Sequence, residues 1–94
     1  MAPAQTEEIA AFLHQYSAWT HEQNKLVRRV VCTDFVEALG LLVRIGVAAE
    51  KVDHHPELFN VYNRVTIGLC THDAGDVVTE KDLSLAATLE GLIP

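Results

Sequence analysis

Long apolar runs are missing from this sequence. No stretch approaches the roughly 20 consecutive apolar residues that span a bilayer, so neither a membrane-spanning helix nor a membrane partner is expected. Cysteine is scarce too: Cys32 and Cys70 stand far apart with no CxxC pattern. That spacing argues against a disulfide framework and for a reducing compartment, and both thiols read as buried apolar side chains rather than redox or metal groups. Basic residues are outnumbered, seven against thirteen acidic ones, for a formal net charge of -6. This is the wrong sign for gripping phosphate backbones, so direct nucleic-acid binding is not expected. The start, MAPAQTEE, has no basic segment ahead of an apolar one, as a secretory leader would. A cytoplasmic protein is the expectation.

What the chain does have is a domain's worth of apolar residues. Its 94 residues, 49% of them hydrophobic, suit one globular domain over 1–94. So short a chain buries a limited share of its surface, which makes a homodimer or homotetramer a natural expectation.

Periodicity sets the elements. Thr6 is placed to cap a helix with Glu7 and Glu8 in its first turn, and Ile9, Phe12, Leu13 and Tyr16 follow at helical spacing. Trp19–Gln23 and Leu26–Cys32 read as strands joined by a two-residue turn at Asn24-Lys25. Asp34 and Glu37 have capping-box spacing at the head of a longer helix, whose stripe Phe35, Leu39, Leu42, Gly46 and Ala49 is expected to face the core. Val36, Leu41, Val43, Ile45 and Val47 widen the apolar surface past half the circumference. Such a helix is buried on two sides, and the second side is expected to be another subunit. Leu58–Tyr62 and Val65–Thr71 form a second hairpin around Asn63-Arg64, and Thr79 with Asp82 opens a last helix. The expected class is α+β: an αββαββα two-layer fold, with a four-stranded antiparallel sheet carrying three helices on one face.

Titratable chemistry gathers in EKVDHHP, residues 50–56. Pro56 keeps His55 off the helix, so His54 and His55 sit at a helix-to-strand corner. If the second pair of strands forms a hairpin, His72, just past its end, returns to the same corner. Glu50 is placed to face the loop from the last helical turn, and Asp53 is near enough to orient an imidazole. Imidazoles with an unperturbed pKa of ~6.5 give and take protons near neutrality, so the set suits removal of a proton from one atom and delivery to another, as an elimination of water requires. No Ser or Cys nucleophile stands beside a base, so covalent catalysis gains no support. A zinc set is the rival, but adjacent histidines before a proline are not an HxH or HxxxH pattern. Histidines that lie on a loop surface or cap helix carbonyls are the simplest alternative, and His14, on a helix surface, and His21, in a strand, keep a structural reading. Trp19 is a core aromatic by base rate, with stacking on a flat ligand as its other reading.

The run Glu50-Lys51-x-Asp53-His54-His55-Pro56-Glu57-x-Phe59-Asn60-Val61-Tyr62-Asn63-x-Val65, with Leu69-x-Thr71-His72-Asp73-x-Gly75 and Asp82, resembles the pterin-4a-carbinolamine dehydratase family. The family is also known as DCoH, the dimerization cofactor of a homeodomain transcription factor. The resemblance implies dehydration of 4a-hydroxytetrahydropterin to quinonoid dihydropterin, which recycles tetrahydrobiopterin. A pterin is then the substrate, with no cofactor and no metal. His54, His55, His72 and Glu50 match the family's catalytic set, with the pterin against His54, His55, Pro56, Thr71, His72, Asp73 and Ala74 and with Trp19 at the pocket edge. The expected division has His54, aided by Glu50, taking the N5 proton while His72 or His55 protonates the leaving hydroxyl. The family's dimers and tetramers fit the over-apolar second helix. A second role implied by the resemblance is a coactivator module that docks a helical protein partner on that helix, with a nuclear location to match. One departure stands out: the family pattern after the third histidine resembles THDxGGL, whereas here Asp76 takes the place of the second glycine and one extra residue precedes Asp82.

Overall fold

Local hydrogen bonds fix where each helix begins. In the computed structural model, which describes residues 1–94, α1 (Thr6–Gln15) is entered from Gln5, whose backbone N–H donates to Glu8 Oε1 at 2.9 Å. Thr6, expected as the cap, is the first helical residue instead. For α2 (Phe35–Lys51), Asp34 Oδ1 accepts from the Glu37 N–H at 2.8 Å, and Glu37 Oε1 accepts from the Thr33 N–H at 2.7 Å. That reciprocal pattern satisfies donors the first turn cannot. Thr79 and Asp82 do the same for α3 (Glu80–Glu90).

Two hairpins make the sheet. β1 (Trp19–Glu22) and β2 (Lys25–Val31) turn at Gln23-Asn24, with φ of 50° and 64°. Positive φ at both central residues is the I′ geometry that suits strand twist, and it sets the turn one residue earlier than expected. The same one-residue shift recurs between β3 (Glu57–Val61) and β4 (Arg64–Leu69), which turn at Tyr62-Asn63. Here the turn is tied down by its neighbour: the Asn63 side-chain amide donates to the Cys32 carbonyl at 2.9 Å, and the Cys32 N–H donates to the Asn63 carbonyl at 2.7 Å.

The strand order is β1-β2-β4-β3, antiparallel throughout, with Leu26 opposite Leu69, Val30 opposite Val65, and Glu57 opposite Gly68. Helices cover one face: α1 packs on β1, α2 on β4 and α3 on β2. Between the layers lie Leu26, Val30, Val65, Ile67 and Leu69 from the sheet, Ala38, Leu41, Ile45 and Ala49 from α2, and Leu85, Ala86 and Leu89 from α3. Full burial of a Leu or Ile of this kind is worth about 1.5–3 kcal/mol.

The inward stripe of α2 is therefore not the expected one. Phe35 and Leu39 are exposed, while Ala38, Leu41 and Ile45 are fully buried. Phe35, Val36, Leu39, Val43 and Val47 form a second apolar stripe facing away from the sheet, with Val36 74% exposed. No helix is long and apolar enough to cross a membrane.

Candidate active site

The corner after α2 is built by a Schellman turn. The His54 N–H donates to the Ala49 carbonyl and the Asp53 N–H to the Glu50 carbonyl, both at 3.2 Å, while Asp53 takes the left-handed conformation at φ 51°. This pairing satisfies the last helix carbonyls. Asp53 thus shapes the backbone that presents the histidines. It makes no contact that would orient an imidazole, so its part is to frame the site.

From that corner β3 runs out and β4 returns, so the chain leaving Leu69 comes back beside His54 and His55. It then enters a braced loop. The Thr71 N–H donates to the Val77 carbonyl at 2.9 Å, the Asp76 N–H to the Thr71 carbonyl at 3.1 Å, and the Gly75 N–H to the His72 carbonyl at 3.0 Å. Gly75 and Asp76, at φ 91° and 60°, make the reversal. An open cavity of about 260 Å³ lies between the corner and this loop, lined by Asp53, His54, His55, Cys70, Thr71, His72, Asp73 and Lys81.

Each of these imidazoles has its own carboxylate. His54 Nε2 lies 2.5 Å from Asp82 Oδ1, and the two side chains are 11% and 0% exposed. His55 Nε2 lies 2.8 Å from Glu50 Oε1 with both side chains open to solvent. His72 Nδ1 contacts Asp76 Oδ1, also in the open. Burial ranks them. A charge-assisted bond away from water contributes about 1.5–3 kcal/mol, whereas exposed ion pairs contribute about 0–1 kcal/mol. Glu50 was expected to aid His54; it reaches His55 instead, because the Schellman turn carries His54 inward beneath α3.

The surroundings of Asp82 fix its direction of hydrogen bonding. Its Oδ2 accepts from the Thr79 N–H and from Thr71 Oγ1, each at 2.8 Å. Thr71 has one hydroxyl proton and spends it there, so at 2.7 Å the Thr79 hydroxyl must donate to Thr71. Thr79 Oγ1 in turn accepts from the Lys81 N–H at 3.3 Å. With Asp82 ionised, Oδ1 can only accept, so His54 donates through Nε2, and in the neutral ring Nδ1 is then the proton acceptor. No buried side-chain polar atom in the chain lacks a partner.

Not every expected residue is at the cavity. Trp19 is 2% exposed, packs edge-on against Phe12, and donates through Nε1 to Glu90 Oε2 at 2.7 Å, where Arg28 also binds. Glu90 lies on the order of 12 Å along α3 from Asp82 at 1.5 Å per residue. Trp19 is a core residue that staples the sheet to α3, away from the pocket edge expected for it. Pro56 and Ala74 flank the lining residues in sequence without lining the cavity themselves. Asp82, by contrast, received no role in the candidate site. Its capping position was visible; its reach to His54 depends on how α3 meets the end of α2.

Comparison with known proteins bears on this arrangement. The family model described as pterin 4 alpha carbinolamine dehydratase matches residues 2–92. A Solibacter usitatus protein is 49% identical over 85 residues, covering 90% of this chain and 88% of that protein. A Burkholderia orbicola protein is 43% identical over 88 residues, covering 92% and 85%. Both bear the name "Putative pterin-4-alpha-carbinolamine dehydratase". The crystal structure of a transcriptional coactivator/pterin dehydratase from Brucella melitensis superposes with a TM-score of 0.90 at 32% identity, covering 98% of this chain and 99% of that one.

Proposed function

Because the chain belongs to the pterin-4a-carbinolamine dehydratase family, we propose that it removes water from 4a-hydroxytetrahydropterin to give quinonoid dihydropterin, by acid–base catalysis from His54, His55 and His72. The observation that carries this reading is the gathering of three carboxylate-paired imidazoles around one open cavity.

The reaction asks for two proton transfers. The N5–H bond breaks, its electron pair forms the N5=C4a double bond, and the C4a–O bond breaks as the hydroxyl takes a proton and leaves as water. His54 is suited to the first transfer: Nδ1 accepts the N5 proton, and the imidazolium so formed faces the buried Asp82 carboxylate. His72, or His55 held by Glu50, supplies the proton to the leaving oxygen, and water returns each histidine to its starting state. No step runs through a metal or a cofactor. Thr71, Asp73 and the histidine rings themselves are the surfaces offered to the pterin, and each general acid or base contributes about 10²–10⁴-fold in rate.

The exposed stripe of α2 supports self-association as a homodimer or homotetramer, since an apolar band of this kind is usually covered in a stable assembly; the cytoplasm is the location that goes with this proposal. The same stripe favours a second, lesser reading, docking of a helical protein partner in a coactivator role, with the nucleus as its place. Light scattering of the protein alone and mixed with an amphipathic helical partner separates them: an undisturbed homo-oligomer counts against docking. For the main reading, the test is to add the protein to freshly generated 4a-hydroxytetrahydropterin and follow its loss by absorbance. Acceleration over the uncatalysed rate is expected, and no acceleration would overturn the proposal.

A further inference from the structure

Cys70 directly follows β4 at the same cavity, and it differs from the other thiol in its company. Cys32 is buried beside the Asn63 turn. Cys70 is buried as well, but it lines the cavity and places its Sγ with a ring nitrogen of His72 and a carboxylate oxygen of Asp76, all within 4.8 Å of one another. We propose that Cys70, His72 and Asp76 form a binding site for a thiophilic divalent cation of the Zn²⁺ class, and that an ion bound there withdraws His72 from acid–base chemistry.

The donor set fits that chemistry. Thiolate, imidazole and carboxylate are the ligands zinc takes, and three protein ligands plus a water complete a tetrahedron. Bonds of about 2.0–2.3 Å put tetrahedral ligand atoms roughly 3.3–3.8 Å apart, so the widest spread must close by about 1 Å, while the direct His72–Asp76 hydrogen bond must open for the two side chains to take the ion between them. Exposed side chains carry that adjustment, since His72 and Asp76 are both open to solvent. The backbone beneath them need not move: the loop is closed by the Thr71–Val77 bridge and by the Asp76 and Gly75 N–H bonds. Lys25, the neighbouring cation felt by Cys70, is engaged by Glu57 at 2.6 Å. Coordination replaces the Cys70 thiol proton, which leaves to solvent. Cys70 is buried, as its sequence reading has it, and the proposal adds a ligand role to that thiol.

Binding of the ion stands on these three residues alone, whereas its inhibitory effect rests on the proposed role of His72. The test titrates Co²⁺ into the reduced full-length protein. A thiolate-to-cobalt charge-transfer band is expected, saturating at one ion per chain and displaced by Zn²⁺. Cys70→Ser should abolish the band. Asp76→Gly should weaken affinity by at least the about 10–100-fold that outer-shell losses already cost, and glycine fits the left-handed backbone at that position, so this variant keeps the fold even if a serine at the buried Cys70 does not. Absence of the band, or a band and affinity unchanged in Asp76→Gly, would overturn the site. Zn²⁺ should also slow dehydration by the wild type, reversibly by chelation, and slow Asp76→Gly only at 10-fold or more higher concentration. Stoichiometric binding with no change in rate would overturn the inhibitory half and the acid–base role of His72, while absence of dehydratase activity with the band present would overturn the dehydratase reading alone.

Discussion

Replacing Asp82 by Asn changes one atom of the buried network and reverses one hydrogen bond. The Asn carbonyl can occupy the Oδ2 position and still accept from the Thr79 N–H and the Thr71 hydroxyl, so the cap of α3 survives. Its amide then points at His54 Nε2, where the carboxylate accepted. Two donors cannot face each other, so His54 must move its proton from Nε2 to Nδ1. A charge-assisted bond of about 1.5–3 kcal/mol gives way to a neutral one of about 1 kcal/mol, a net loss of about 0.5–2 kcal/mol against a total stability of about 5–15 kcal/mol. The protein stays folded, and its Tm falls by roughly 2–16 °C. The rate suffers more, because Nδ1 now carries a proton where the mechanism needs a lone pair. The comparable exchange in a Ser-His-Asp triad costs about 10⁴ in kcat, and a loss of about 10²–10⁴ is expected here. Urea melts, imidazole ¹⁵N shifts and the dehydration assay read the three consequences separately. A variant that kept the wild-type rate with His54 still protonated at Nε2 would refute the tautomer argument.

Three further outcomes follow from the same geometry. Glu50→Gln should leave the urea midpoint almost unchanged, since its pair with His55 is exposed, and should slow dehydration less than His55→Ala does; the two rates compared in one assay decide it. Val43→Asp, on the outward stripe of α2, should preserve the circular dichroism spectrum while shifting sedimentation toward smaller species, because that side chain touches no core of its own chain. The Glu22 carboxyl is held down to about 2 by the Arg29 guanidinium, with the Thr20 hydroxyl adding to it. A carboxylate with a lowered folded pKa stabilises above its ordinary value of 4.5 and loses that contribution as pH falls through about 2. Glu22→Gln should therefore flatten the acid limb of the stability curve in that window, and identical limbs in a urea-melt series would contradict it.

Much of this molecule was legible in its sequence, and the misreadings have physical causes. Caps and periodicity located all three helices and both hairpins, because Asp34, Thr79 and the alternation Val65, Ile67, Leu69 carry their signals locally. The turns slipped by one residue because Gln23 and Tyr62 accept positive φ, which residue type alone argues against. The inward stripe of α2 was placed only in part, with Ala49 in the core and Leu42 against it but Phe35 and Leu39 outside, because a helix apolar on two sides has no periodicity that says which side meets the sheet. In the site, the meeting of His54, His55 and His72 followed from hairpin logic. The choice of carboxylate did not. Asp82 lies 28 residues from His54, and only the packing of α3 against the end of α2 makes them partners, leaving Glu50 to the outer histidine.

The dehydration rate of His54→Ala relative to wild type, both shown to be folded, tests the central claim most directly. On the proposed mechanism Asp82 holds His54 with Nδ1 free to act as the base, so the variant should remove 4a-hydroxytetrahydropterin about 10²–10⁴-fold more slowly. Equal rates would contradict the account.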